Sequence, residues 1–295
     1  MLLLLPDFLL IAAGFLLCRY TPLDRPVWEA AEKLVYFLLF PVLLFNSISR
    51  STLSPGDTMT LMGAGLGVMG AGIAMAYALR WVPGVAPRTL ASGSQVAFRF
   101  NTFVGLALAE RLHGAQGVAW IAMIVAVCVP VANVAAVYPL ARHGGHGYLR
   151  ELARNPLIVA TLTGLAANLL GLRLPEPAAI TLQKIGLAAL PLGLMAVGAG
   201  LRLGALKDAP WLAAALLAIK HLMLPLAAIG LGQALALPAP QAALLIAFAA
   251  LPTASSAYVL AVRMGGNGPF VAGLVTVSTL LGMVALPMWL EVAIR

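Results

Sequence analysis

Leu108-Ala109-Glu110-Arg111-Leu112-His113-Gly114 recurs 152 residues later as Leu260-Ala261-Val262-Arg263-Met264-Gly265-Gly266, with the Leu-Ala opening, the arginine and the last glycine kept in place. Outward from this pair, Arg50 falls on Arg202, Lys33 on Lys184 at nearly the same offset, and Pro41 beside Pro191. Each pair holds a comparable place in a hydrophobic segment. Between the copies lies the longest polar connection, Ala141 to Asn155, almost at the middle of the chain. The pattern predicts two halves, 1–140 and 156–295, with 141–155 as the connecting loop. Two similar halves of opposite orientation can pack in two nearly equivalent ways, one facing each side of a bilayer, with a site at their junction.

The composition puts those halves in a membrane. Hydrophobic residues make up 62% of the chain and charged residues 9%, with a mean hydropathy of +0.98, where an ordinary soluble domain is about a quarter charged. A helix crosses the hydrocarbon core in about 20 residues. The apolar spans read as Leu2 to Cys18, Leu34 to Ser49, Thr58 to Leu79, Thr89 to Ala109, Gln116 to Leu140, Pro156 to Gly171, Ile180 to Leu201, Ala209 to Leu235, Ala239 to Val262 and Phe270 to Ala293. That is an all-α membrane protein of ten transmembrane helices. Five precede the loop, so the second half starts on the opposite face from the first, which makes a 5+5 inverted repeat.

A net charge of +8 does not point to nucleic acid, because the basic residues stand singly between hydrophobic segments. Topology accounts for them. With both termini outside, eleven cations (Arg19, Arg25, Lys33, Arg80, Arg88, Arg142, Arg150, Arg154, Arg202, Lys207 and Arg263) lie in inner loops. Five (Arg50, Arg111, Arg173, Lys184 and Arg295) lie outside. Cys18 and Cys128 sit at or inside spans without a partner at metal-ligand spacing. Glu110 and His113 have the spacing of a bundle metal site but lack the second such pair. No metal and no cofactor is expected.

Two spans carry polar interruptions. Pro252-Thr253-Ala254-Ser255-Ser256-Ala257-Tyr258 lies in the middle of the ninth, and Arg99-Phe100-Asn101-Thr102-Phe103-Val104-Gly105 at the matching place in the fourth. Interrupted helices at equivalent positions of two halves mark a midplane site. Their new N-termini present unpaired N–H groups and a partial positive charge, which suits an anion. Asn101, Thr102, Thr253 and Ser255 add directional hydrogen bonds; small polar residues also join helices and satisfy freed carbonyls in membranes. Arg99 and Lys220 are the cations deep inside spans, each costing on the order of 3 kcal/mol at a helix centre unless water or a partner faces it. Asp7, Asp57, Glu110 and Glu291 lie near span ends, so the counter-charge falls to the substrate; for Arg99 the other reading is snorkelling to the surface or capping broken-helix carbonyls. His221, next to Lys220, diverges from it by about 100° on a helix and is expected to bond a neighbouring helix.

The chain resembles the auxin efflux carrier family, in its branch of bacterial malonate- and malate-type carboxylate permeases. The resemblance rests on Lys33-Leu34-Val35-Tyr36-Phe37-Leu38-Leu39-Phe40-Pro41, Phe98-Arg99-Phe100-Asn101-Thr102, Arg154-Asn155-Pro156-Leu157, Leu251-Pro252-Thr253-Ala254 and Ser278-Thr279-Leu280-Leu281. It implies a ten-helix fold similar to bile-acid symporters and some sodium/proton antiporters, with helices four and nine unwound and crossing at the midplane. Helices at 2–49 and 156–201 would form a scaffold, often dimeric, and those at 58–140 and 209–293 a mobile transport bundle. The crossing would hold a substrate carboxylate at Asn101, Thr102, Pro252 and Thr253, with Asn133 as neighbour. Phe103 and Ala107 stand where bacterial relatives often have Gly and Pro, and the third span lacks the acid of the plant carriers. The expected function is a secondary transporter of a small organic anion, a mono- or dicarboxylate, working by alternating access in a bacterial inner membrane. The alternatives are an ion-coupled symporter of the bile-acid type and a non-transporting membrane receptor. An intramembrane enzyme would need a nucleophile with its base, or converging His and acidic residues, and the spans do not supply them.

Overall fold

The computed structural model describes residues 5–50, 55–82, 84–140, 156–172, 174–201, 209–254 and 256–294. The connecting loop 141–155, Ser255 and residues 202–208 lie outside the described residues. Among the described residues the regular elements are all helical. In order they are α1 (Leu5–Tyr20), α2 (Arg25–Leu34), α3 (Phe40–Arg50), α4 (Pro55–Ala78), α5 (Pro87–Gly93), α6 (Gln95–Phe98), α7 (Thr102–Leu140), α8 (Pro156–Leu169), α9 (Glu176–Leu187), α10 (Ala189–Ala199), α11 (Pro210–Ala218), α12 (Leu224–Ala234), α13 (Ala239–Ala250), α14 (Ser256–Arg263) and α15 (Gly268–Ile294). Six helical runs are long and apolar enough to cross a membrane: Arg25–Arg50, Thr58–Trp81, Pro87–Leu140, Glu176–Ala199, Pro210–Ala234 and Gly268–Val292. Three shorter apolar helices, Phe8–Tyr20, Val159–Leu169 and Ala239–Ala250, accompany them. The chain is an integral membrane protein.

The chain divides into two compact units, one of Met1–Thr58, Leu106–Ala126 and Gly147–Gly200, the other of Met59–Gly105, Val127–His146 and Leu201–Arg295. In the first unit α1 lies along α10 at backbone contact. A Cβ on Gly14 would strike the Met195 carbonyl, and one on Gly198 the Ile11 carbonyl. Close backbone approach at small residues is how helices associate where no hydrophobic effect drives them together. α3 packs on α8 and α9, and Asn168 Nδ2 donates to the Ile48 carbonyl at 2.9 Å. The helix containing Pro41 starts at Arg25, nine residues before the apolar span the sequence suggests. Its first turns are polar yet ordered, because Arg25 pairs with Glu29 (3.3 Å) and Glu32 (3.1 Å) on one face while Trp28 is buried on the other.

In the second unit α12 packs on α13, and α13 and α14 on α15. α7 is not straight: in its stretch that belongs to the first unit, His113 and Gly114 leave helical geometry, with Gly114 at φ 55°, a left-handed conformation that glycine adopts without penalty. The interruption falls where the sequence places a loop between the fourth and fifth spans.

Several prolines are explained by the same local rule. Proline at position i cannot bond the carbonyl at i−4, so that carbonyl needs another donor or the turn must widen. Ahead of Pro41 the chain makes one wide π turn, Val35–Leu39, closed by Phe40 N–H on the Val35 carbonyl. Ahead of Pro225 it makes another, Ile219–Met223, closed by Leu224 N–H on the Ile219 carbonyl. The carbonyl Pro225 leaves free is that of His221, and Trp289 Nε1 of α15 donates to it at 2.9 Å. Pro139 frees the Ala135 carbonyl, which accepts the Tyr77 hydroxyl. Ahead of Pro191 the helix breaks at Ala188 between α9 and α10.

Candidate functional site

The candidate site lies within the second unit, where both interruptions come together. The first spans Arg99 to Asn101, between α6 and α7, with Arg99 extended at ψ 151°. The second begins at Leu251, extended at ψ 140°, and α14 starts at Ser256. Asn101 N–H donates to the Pro252 carbonyl at 2.7 Å, so the backbone of one interruption closes on that of the other. Edge-to-face rings of Phe100 and Phe248, 4.8 Å apart, cover the joint on one side.

Asn101 also explains how the first break exists with neither Gly nor Pro among its residues, Arg99 to Asn101. Its Oδ1 accepts Phe103 N–H (3.0 Å) and Val104 N–H (3.3 Å), and its carbonyl accepts Gly105 N–H (3.0 Å). That is an N-cap, satisfying donors the new helix start would leave orphaned. With Oδ1 and the backbone engaged, Nδ2 is the part of Asn101 for which no bond is recorded among the described residues, and the residue is 4% exposed.

Thr253 is fully buried. Its N–H donates to Ser278 Oγ on α15 at 3.0 Å, and its own hydroxyl has no partner among the described residues. Ser278 Oγ is in turn 2.9 Å from His221 Nε2. His221 therefore bonds a neighbouring helix, through a serine that also holds the second interruption. Lys220, 1% exposed, occupies the same π turn, which packs against α6, α13 and α15. None of the hydrogen bonds or ion pairs recorded among the described residues involves its ammonium.

Arg99 does not reach the surface: it is 9% exposed, and its guanidinium donates to Ser256 Oγ (3.1 Å) and Asn133 Oδ1 (3.0 Å). Nε has no partner. The arginine thus spans the first interruption, the start of α14 and the C-terminal third of α7, and no carboxylate answers it among the described residues. Thr102 is the first residue of α7 and half-buried. Ser255 lies outside the described residues. Of the residues picked from the sequence, Asn101 is bonded directly to Pro252, and Arg99 to Asn133. Thr253 joins through Ser278, and Lys220 through its neighbour His221.

Three participants were not singled out by sequence reasoning. Ser256 restarts the broken helix and receives Arg99. Ser278 stood inside a quoted motif without a role. Gln95, buried completely, donates through Nε2 to the carbonyls of Ser92 and Ala257, both at 3.1 Å, and so ties the fourth span to the ninth. A lone amide in an apolar span was the available signal, because a side chain that polar enters a membrane core only to meet a partner. No cluster of His, Cys, Asp and Glu able to hold a metal occurs among the described residues.

Two comparisons bear on this arrangement. Residues 145–290 match the model of a family described as membrane transport protein, a match that takes in Lys220, the second interruption and Ser278. A protein of Rhizobium meliloti (strain 1021) named "Putative malonate transporter" is 28% identical over 300 residues, which covers 95% of this chain and 92% of the relative.

Proposed function

We propose that this chain, whose residues 145–290 match the membrane transport protein family, is a secondary carrier moving a small carboxylate by alternating access. The observation that carries the reading is the bond between the two helix interruptions, Asn101 N–H to the Pro252 carbonyl, with uncommitted polar groups gathered around it. Asn101 Nδ2 and the Thr253 hydroxyl are the directional donors. Arg99 and Lys220 supply positive charge that no acid among the described residues neutralises. Such a site selects an anion over a cation without any metal. A dicarboxylate of the size of malonate is the first substrate to test, given the relative's name.

The fold we infer is the ten-helix 5+5 inverted repeat, with helices four and nine crossing at their breaks. The run Pro87–Leu140 supports it: at 54 residues it exceeds two crossings and turns at His113 and Gly114. The interruptions ahead of Pro41 and Pro191, in corresponding places of the two halves, support it as well. In this reading the helices at 2–49 and 156–201 are the fixed scaffold, with its exposed side as a homodimer face, and those at 58–140 and 209–293 the mobile bundle.

Uptake of labelled malonate into proteoliposomes tests this, with Lys220→Met beside the parent protein. The variant keeps much of the side-chain volume and removes the desolvation cost of a buried ammonium, so it should melt no lower than the parent while flux falls at least tenfold. Intact flux in Lys220→Met would remove that charge from the site. Saturable malonate binding by the parent with no flux would favour the receptor reading instead.

A further inference from the structure

A cavity of about 670 Å³ opens within the same unit as the candidate site, where α4 ends, α5 begins, α7 ends and the turn after α14 passes. Two arginines line it, Arg80 and Arg88, and no carboxylate pairs with either among the described residues. Arg88 donates through Nε (3.0 Å) and Nη2 to the carbonyl of Gly265, which leaves its Nη1 group uncommitted. Arg80 lies over the ring of Trp81, 4.7 Å from its centre, and makes no recorded hydrogen bond among the described residues. Leu90, Leu140 and Met264 give the cavity an apolar part of its wall, beside Tyr77, Ser94 and Tyr138.

Three observations fix the chemistry of the occupant. The cavity sits at the ends of apolar helices, where Trp81 (72% exposed) and Tyr138 (64% exposed) form the aromatic fringe typical of the headgroup level. The guanidinium fork matches two oxygens of a phosphate or a carboxylate, so the two arginines call for an anion of that geometry. Volume decides between a soluble anion and an amphiphile: pockets of about 300–1,000 Å³ take ligands of drug size, and a three- or four-carbon carboxylate would leave the apolar wall wet. Basic pockets between membrane helices hold anionic lipid headgroups by this combination.

We propose that this cavity binds an anionic phospholipid, its phosphodiester between Arg80 and Arg88 and its first methylenes against Leu90, Leu140 and Met264. The bound lipid joins α4, α5 and α7 of the first half to the Met264–Gly266 turn of the second. The assignment rests on the membrane placement of the chain and is independent of what it carries.

Delipidated protein in a neutral detergent, titrated with phosphatidylglycerol or with phosphatidylcholine of the same acyl chains, provides the test, read by melting temperature and by native mass spectrometry. Phosphatidylglycerol should raise the melting temperature and leave a retained adduct, and phosphatidylcholine should do neither. Arg80→Gln, which breaks no recorded hydrogen bond within the protein, should weaken the lipid effect about tenfold or more. Arg88→Gln should do the same, with added loss of the Gly265 contact. Equal responses to the two lipids, or an undiminished phosphatidylglycerol effect in a folded Arg80→Gln variant, would overturn the proposal. So would inorganic phosphate alone producing the full shift in the parent and losing it in Arg80→Gln, since the cavity would then be a small-anion site.

Discussion

Asn101 holds two positions at once, and the two can be separated by choice of substitution. Its Oδ1 caps α7, while for its Nδ2, the proposed donor to a carboxylate, the structure gives no bond among the described residues. Asn101→Ala removes both, and losing the cap alone costs about 0.5–2 kcal/mol. Asn101→Asp keeps a capping oxygen, loses the donor and places negative charge beside the substrate. The alanine variant is therefore expected to lose stability and binding together. The aspartate variant should keep a melting temperature close to the parent's while malonate affinity drops at least tenfold. Parent-like affinity in Asn101→Asp, measured by calorimetry, would exclude Nδ2 from substrate recognition. The sequence indicated Asn101 because a polar residue in mid-span is costly. It could not show which of its atoms were taken, since that depends on where Phe103, Val104 and Pro252 present their backbone groups.

At the scale of the helix, proline placement and its remedy form one unit. Pro225 leaves the His221 carbonyl without its helical donor, and Trp289 Nε1 supplies one from α15. Trp289→Phe keeps an aromatic ring but orphans that carbonyl, at a cost of about 1–3 kcal/mol. In a Pro225→Ala background the chain recovers an N–H at position 225, so the same Trp289→Phe change should cost clearly less. The measurement is a double-mutant cycle on melting temperature or unfolding free energy. Strictly additive effects would mean that the indole bond and the proline are unrelated. This arrangement also sets the local geometry of the π turn that carries Lys220 and His221. The prolines were visible in the sequence as departures from a plain helix. Their partners were not, because Trp289 lies 64 residues from Pro225 and periodicity carries no information about which neighbouring helix faces a kink.

For the whole molecule, the basic loop residues predict an orientation with both termini outside. In a background lacking Cys18 and Cys128, cysteines at Gly145 and Gly204 should react with impermeant thiol reagents from the cytoplasm, and one at Glu176 from the outside. The reverse labelling pattern would invert the topology. The sequence by itself determined the solvent, the helical class and the places where helices must break, because composition, span length and polar interruptions are local properties of the chain. It also carries Leu-Ala, Arg and Gly at a constant offset, the pattern on which the proposed repeat rests. The tertiary structure alone decided what those breaks do to each other. Only there does Asn101 N–H meet the Pro252 carbonyl, Arg99 reach Ser256 and Asn133, and Ser278 stand between Thr253 and His221. When nearly every residue of a span is apolar, no hydrophobic stripe fixes which face of the helix turns inward. The facing is settled by close packing and by the need of each buried polar group for a partner, which are properties of the folded neighbours.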